Sequence, residues 1–124
     1  MTLQEVIQVE LLLGDTDVAA LVGDRIYPGV LPAHPILPAV TYQLISSPRD
    51  QTQSGPAFVR PRFRWNCFAL TYDESVEVAI AVARASRAFH AWVDAEADQH
   101  ELDTGLFRRR LETLAWSSPP EGAP

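Results

Sequence analysis

Lysine is missing from this sequence: all ten basic side chains are arginine. Arginine suits planar, bidentate pairing at interfaces, although a GC-rich genome accounts for the bias more simply. Cysteine is almost missing too. With Cys67 alone no internal disulfide can form, and nothing marks an oxidising compartment. There is no run of about 18 apolar residues to span a bilayer. The apolar N-terminal stretch is interrupted by Glu5 and Glu10 and lacks the basic start of a signal peptide. These absences predict a soluble protein made in the cytoplasm, without a membrane partner. Positive charge is in the minority, with a formal net charge of −6, which argues against charge-driven binding to nucleic acid or anionic lipid.

Catalytic signatures are equally scarce. No phosphate loop, dinucleotide fingerprint, zinc spacing or nucleophile elbow occurs. His34, His90 and His100 fall in a Pro-rich loop, a predicted helix and an acidic connection, with no nucleophile at a recognisable spacing. The cluster Asp94, Glu96, Asp98, His100, Glu101, Asp103 offers oxygen ligands but lacks the glycine and ligand order of a calcium loop, so it reads as a solvated connection. Cys67 falls between Trp65 and Ala69 on an apolar strand face, where a thiol acts as a small hydrophobe. No enzyme activity, metal or cofactor is expected.

What is present is the pattern of one α+β domain. The 124 residues suit a single core. A chain of this length buries roughly two thirds of its unfolded surface, so oligomerisation would be a natural supplement. Thr2 and Glu5 form a capping box, and Leu3, Val6, Ile7, Leu11 and Leu13 recur at near-helical spacing up to Gly14. This predicts a helix over 3–13, followed by a helical turn over 16–21 and a short extended piece over 25–27. Four prolines and a glycine make 28–38 an extended loop, with Val30, Leu31, Ile36 and Leu37 expected against the core. Val40, Tyr42 and Leu44 alternate with Thr41 and Gln43, predicting a strand over 39–46.

Residues 47–56 are polar and read as a long mobile loop, able to reach a partner through Asp50 and Gln51. A second strand is predicted over 58–70. It sets Phe63, Trp65, Cys67 and Ala69 on one face against Arg60, Arg62, Arg64 and Asn66 on the other. Thr71 and Glu74 repeat the capping signal before an amphipathic helix running to about Val93, with Val78, Val82, Ala85, Phe89 and Trp92 as its apolar stripe. An acidic connection over 94–105 leads to a last strand over 106–116. Residues 117–124 hold three prolines and a glycine and are expected to be a disordered tail beyond a domain of 1–116. The order predicts a largely antiparallel sheet with two main helices on one face.

Three arginines on one strand face repel one another unless solvated or met by carboxylates. Arg60, Arg62 and Arg64, and likewise Arg108, Arg109 and Arg110, therefore read as the wet face of the sheet, a protein interface or a nucleic-acid patch. Trp65, Phe89 and Trp92 read as core packing or as the lining of a ligand pocket.

The stretch Leu21-Val22-Gly23-Asp24-Arg25-Ile26-Tyr27-Pro28 resembles the signature of the small phage tail-completion proteins. So do Leu37-Pro38-Ala39-Val40-Thr41-Tyr42-Gln43, Arg64-Trp65-Asn66-Cys67-Phe68-Ala69 and Thr71-Tyr72, in the same order over residues 1–93. The resemblance implies a tail terminator: a subunit of a hexameric ring on the head-proximal end of a tail tube. Its partners would be further copies, the tube protein and the head connector. Its setting would be a phage, prophage or gene transfer agent particle assembled in the bacterial cytoplasm. DNA would pass through the ring without sequence-specific contacts. The arginine face, opposite acidic segments such as 94–103 of a neighbour, would fix the ring contact. A head-completion protein of the neck and a small-molecule-binding regulatory dimer are the other readings.

Overall fold

The computed structural model describes residues 3–46, 49–52, 55–59 and 61–115. Helices α1 (Leu3–Leu13) and α2 (Thr16–Val22) lead into β1 (Ile26–Pro28) and β2 (Ala39–Ser46). Strands β3 (Arg49–Thr52), β4 (Gly55–Val59) and β5 (Arg62–Ala69) follow, then helix α3 (Tyr72–Ser86), a 3-10 turn (Arg87–Phe89), β6 (Ala91–His100) and β7 (Phe107–Ala115). The main sheet has five strands in the order β1-β2-β5-β7-β6, and β3 and β4 pair as a separate ribbon. Only β1 and β2 run parallel; the other pairs of the main sheet are antiparallel. The expected α+β architecture is therefore present.

Local chemistry sets the helix ends. Asp15 accepts a hydrogen bond from the Val18 amide at 3.0 Å, capping α2. Gly23, at φ +60°, closes it by donating to the Ala19 carbonyl, a conformation that favours glycine. Thr71 caps α3 by accepting from the Glu74 amide at 3.2 Å, and Asp73 and Glu74 complement the positive end of the helix dipole. The Thr2 half of the first capping box lies outside the described residues.

The period-two alternation of β5 works as the sequence predicts. Phe63, Trp65 and Cys67 are fully buried against the helices. Val9 and Leu12 of α1, Val18 and Val22 of α2, and Val78, Val82 and Ala85 of α3 complete one apolar cluster with Val40, Tyr42 and Leu111. Phe63 stacks on Trp65 with ring centroids 5.3 Å apart. The indole N–H of Trp65 donates to the Thr113 hydroxyl at 3.0 Å, so the largest buried side chain keeps its one polar group satisfied. The three described helices thus share one face of the sheet, and among the described residues no helix covers the other.

Several expectations fail, each for a physical reason. The strand predicted over 58–70 is two strands, because Pro61 cannot donate to a ladder. The polar segment expected as a loop over 47–56 forms the β3–β4 ribbon in its described part, with Asp50 opposite Phe58. Helix α3 ends at Ser86 rather than near Val93, and His90 takes a left-handed conformation at φ 58° that turns the chain. The acidic connection is instead strand β6, an edge of the sheet. Trp92 leaves the predicted helical stripe and stands 43% exposed on that strand. In the Pro-rich loop Val30 and Ile36 are 77% and 68% exposed, not packed on the core. The expected tail, 117–124, lies outside the described residues.

Candidate interaction surface

Residues directly opposite each other in an antiparallel ladder point to the same face. The register therefore lays out the helix-free face as a grid running from β6 through β7 and β5 to β2. One row is Trp92, Leu114 and Arg62. The next is Ala95, Glu112, Arg64 and Gln43, then Ala97, Arg110, Asn66 and Thr41, then Gln99, Arg108, Phe68 and Ala39. The sequence thus brings Arg62 and Arg64 together with Arg108 and Arg110, which are some 45 residues away along the chain.

Glu112 occupies the centre of this grid. It accepts from Arg62 Nε at 3.2 Å and from Arg64 at 3.4 Å, and lies 3.9 Å from Arg110. Its side chain is only 15% exposed, so one carboxylate faces three guanidiniums in partial shelter from water. Asp94, the extra residue at the β6 bulge, binds Arg62 at 2.6 Å. That hydrogen bond, the largest influence, raises the Arg62 pKa against the opposing effect of desolvation. Arg108 donates to Gln99. The face still carries four guanidiniums against two carboxylates, a local positive excess on an acidic chain. Two buried polar atoms of this face, Arg64 Nε and Asn66 Oδ1, have no hydrogen-bond partner among the described residues.

Arg109 has the opposite orientation. It stands opposite Cys67 on the helix side of the sheet and binds Asp98 at 2.9 Å and Glu96 at 3.0 Å. Desolvation lowers its pKa, but Asp98 and Glu96 outweigh this and raise it. The acids of 94–98, expected to pair with a neighbour's arginines, are therefore engaged by Arg62 and Arg109 of their own chain. Arg60 lies outside the described residues. Asp50 and Gln51 lie on β3, which belongs to the separate two-stranded ribbon and not to the sheet that carries the arginine grid. The sequence reading missed Glu112 as the hub; its position among the alternating residues of β7 was the available signal.

Cys67 is buried and its thiol is pushed up to about 12 by desolvation, slightly countered by Arg109. Trp65 and Trp92 lie on opposite faces of the sheet and cannot line one pocket, against the expectation that they might. Among the described residues no group of three or more His, Cys, Asp or Glu side chains could hold a metal ion, and no helix is long and apolar enough to cross a membrane. On the helix side, α2 and α3 bound an open groove of about 460 Å³ lined by Asp17, Ala20, Leu21, Glu77, Ile80 and Arg84.

Comparison with known proteins adds three findings. The model of a family described as "Tail completion protein gp17" matches residues 9–117, which includes the segments beyond Val93. A chain from a structure described as "Virion of native gene transfer agent (GTA) particle" shares the fold with a TM-score of 0.71 at 18% identity. The match covers 90% of this chain and 92% of that one. No curated protein matches the sequence.

Proposed function

The chain belongs to the tail completion protein gp17 family, a structural role in a phage-like tail, and from this premise we propose that it is the tail terminator. In this reading copies of the chain form a ring, hexameric by family resemblance, on the head-proximal end of the tail tube. The ring stops tube growth and offers a docking surface to the head connector. The particle is a phage, a prophage product or a gene transfer agent, and the protein acts without catalysis or cofactor.

The observation that supports this reading most is the extent of the family match, which runs through both helical and sheet layers rather than over one motif. The fold shared with a chain of a gene transfer agent virion is consistent with it. The sheet geometry fits a subunit that works by contact. One face is sealed by helices, while the other presents Arg62, Arg64, Arg108 and Arg110 from a rigid five-stranded platform. Asp50 and Gln51 belong to the separate β3–β4 ribbon, the segment we assign to contact with a tube or connector protein. An isolated two-stranded ribbon is marginal in water, so a partner surface would stabilise it.

Deleting the gene and measuring tails by electron microscopy tests the proposal. A terminator predicts overlong, irregular tails without heads. Tails of normal length beside unjoined heads would move the assignment to the neck, and unchanged particles would refute both.

A further inference from the structure

The charges of this chain are segregated by layer. Residues 3–22, spanning α1 and α2, hold Glu5, Glu10, Asp15 and Asp17 and no basic residue. Helix α3 adds Asp73, Glu74 and Glu77 against Arg84 alone. The opposite side of the molecule is the arginine grid, with its excess of guanidiniums over carboxylates. A negative helical layer and a positive sheet face therefore stand back to back across one core.

Both layers also expose apolar surface beside their charges. On the helices Ile7, Leu11 and Ile80 are exposed, and Ala20, Leu21 and Ile80 line the groove between α2 and α3 together with two acids, Asp17 and Glu77, and one base, Arg84. On the sheet face Trp92 is exposed and stands beside Leu114 in the row of Arg62. Ala95 and Ala97 of β6 leave that part of the face low enough for a second body to approach closely. Arg64 Nε and Asn66 Oδ1 lie buried in this face with no hydrogen-bond partner among the described residues.

We propose that the occupant of the arginine-bearing sheet face is the acidic α2–α3 surface of a second copy of this chain, packed head to tail. Arg64, Arg108 and Arg110 meet Asp17 and Glu77 of the neighbour, and Trp92 and Leu114 cover the apolar surface around Ile80. Two different surfaces meet, so the contact is heterologous and propagates; closed by rotation, it gives a ring. Opposite charge steers the encounter and sets its direction, and a face-to-face pairing of two arginine grids is repelled. The same asymmetry uses the arginines on protein carboxylates rather than on DNA. This deepens the proposed ring by naming the surfaces that build it.

The test is directional cross-linking in particles made with the full-length chain. Ala20→Cys places a thiol on the exposed acidic helix α2, and Ala97→Cys places one on the arginine face; neither change removes a charge. Native Cys67 is buried and gives little background with a short bis-maleimide. The double variant is expected to lose its monomer band to a ladder of covalent multimers, and each single variant to stay monomeric. Dimers from Ala97→Cys alone, or a double variant that stays monomeric, would overturn the proposal. A second measurement covers loss of folding: Arg110→Glu should deplete the subunit from particles, and Glu77→Arg in the same chain should restore it. Failure of restoration, or a DNA gel shift abolished by Arg110→Glu, would also count against it. Overlong tails on gene deletion with no cross-link would leave the terminator reading standing and remove this interface alone.

Discussion

Replacing Glu112 by glutamine keeps the side chain's length and removes the one negative charge shared by Arg62, Arg64 and Arg110. The loss can be sized from the contacts. Of the two charge-assisted bonds, at 3.2 and 3.4 Å to different carboxylate oxygens, one becomes neutral and the other is lost, because the amide NH2 is itself a donor, and a weaker attraction at 3.9 Å vanishes. The guanidiniums are about a quarter to two fifths exposed, so each contribution is discounted toward the value of a surface pair. Taken together they are worth about 2 kcal/mol, since the carboxylate itself is sheltered and the three cations then repel one another. For a domain of this size that lowers Tm by roughly 6–10 °C. Thermal unfolding followed by circular dichroism, at low salt and at high salt, measures it. The deficit should narrow in high salt as the repulsion is screened. Glu96→Gln is the internal comparison, because Glu96 is 47% exposed and shares Arg109 with Asp98; its cost should be under about 0.5 kcal/mol. Equal Tm values for wild type and Glu112→Gln would show that water already satisfies the grid, and the hub assignment would fall.

Thr113→Val keeps shape but strips the acceptor from the fully buried Trp65 indole, and should cost about 1–3 kcal/mol in denaturant unfolding. Thr71→Ala should cost about 1 kcal/mol through loss of the α3 cap, while Thr71→Ser should cost little. The Cys67 thiol should resist a disulfide reagent at neutral pH until the protein is unfolded. Its folded pKa of about 12 exceeds the ordinary 9.0, so the unfolded chain releases the proton first. Stability therefore falls as pH rises above 9, by up to roughly 1.4 kcal/mol per unit, and Cys67→Ala should lack that component. An alkaline titration of unfolding free energy that is identical in both proteins would contradict this.

The parts of the fold legible in the sequence are those where burial and local chemistry agree. Leu3–Leu13 and Ala39–Ser46 coincide with their predicted elements, because apolar spacing and the flanking Gly14 and prolines give the same boundaries. Strand β7 was equally plain. Strand β6 was not, because an edge strand with acids at 94, 96 and 98 and small alanines between them has no apolar period to reveal it. The predicted helix overruns Ser86 for the converse reason: Phe89 and Trp92 continue its spacing. Only the turn at His90 and the pairing of Ala91 with Ala115 end that pattern. The break at Pro61 could have been read, since a proline inside a central strand is a warning.

At the candidate surface, single arginines were visible from sequence but their partners were not. Register decides which carboxylates arrive, and a one-residue bulge between Val93 and Ala95 is what brings Asp94 to Arg62 while Glu96 and Asp98 turn to Arg109. A sequence shows the charges of both strands without showing that shift. The net effect is that the acids of β6 at 94, 96 and 98 are used within the chain.

The central claim is that this subunit ends the tail tube as a ring, and locating it in the particle tests that most directly. An electron cryo-microscopy map of the intact tail should place this fold in a closed ring immediately above the last tube ring, on the side facing the head. Density for the fold in the neck above that level, at the distal tip, or along the tube wall would contradict the account.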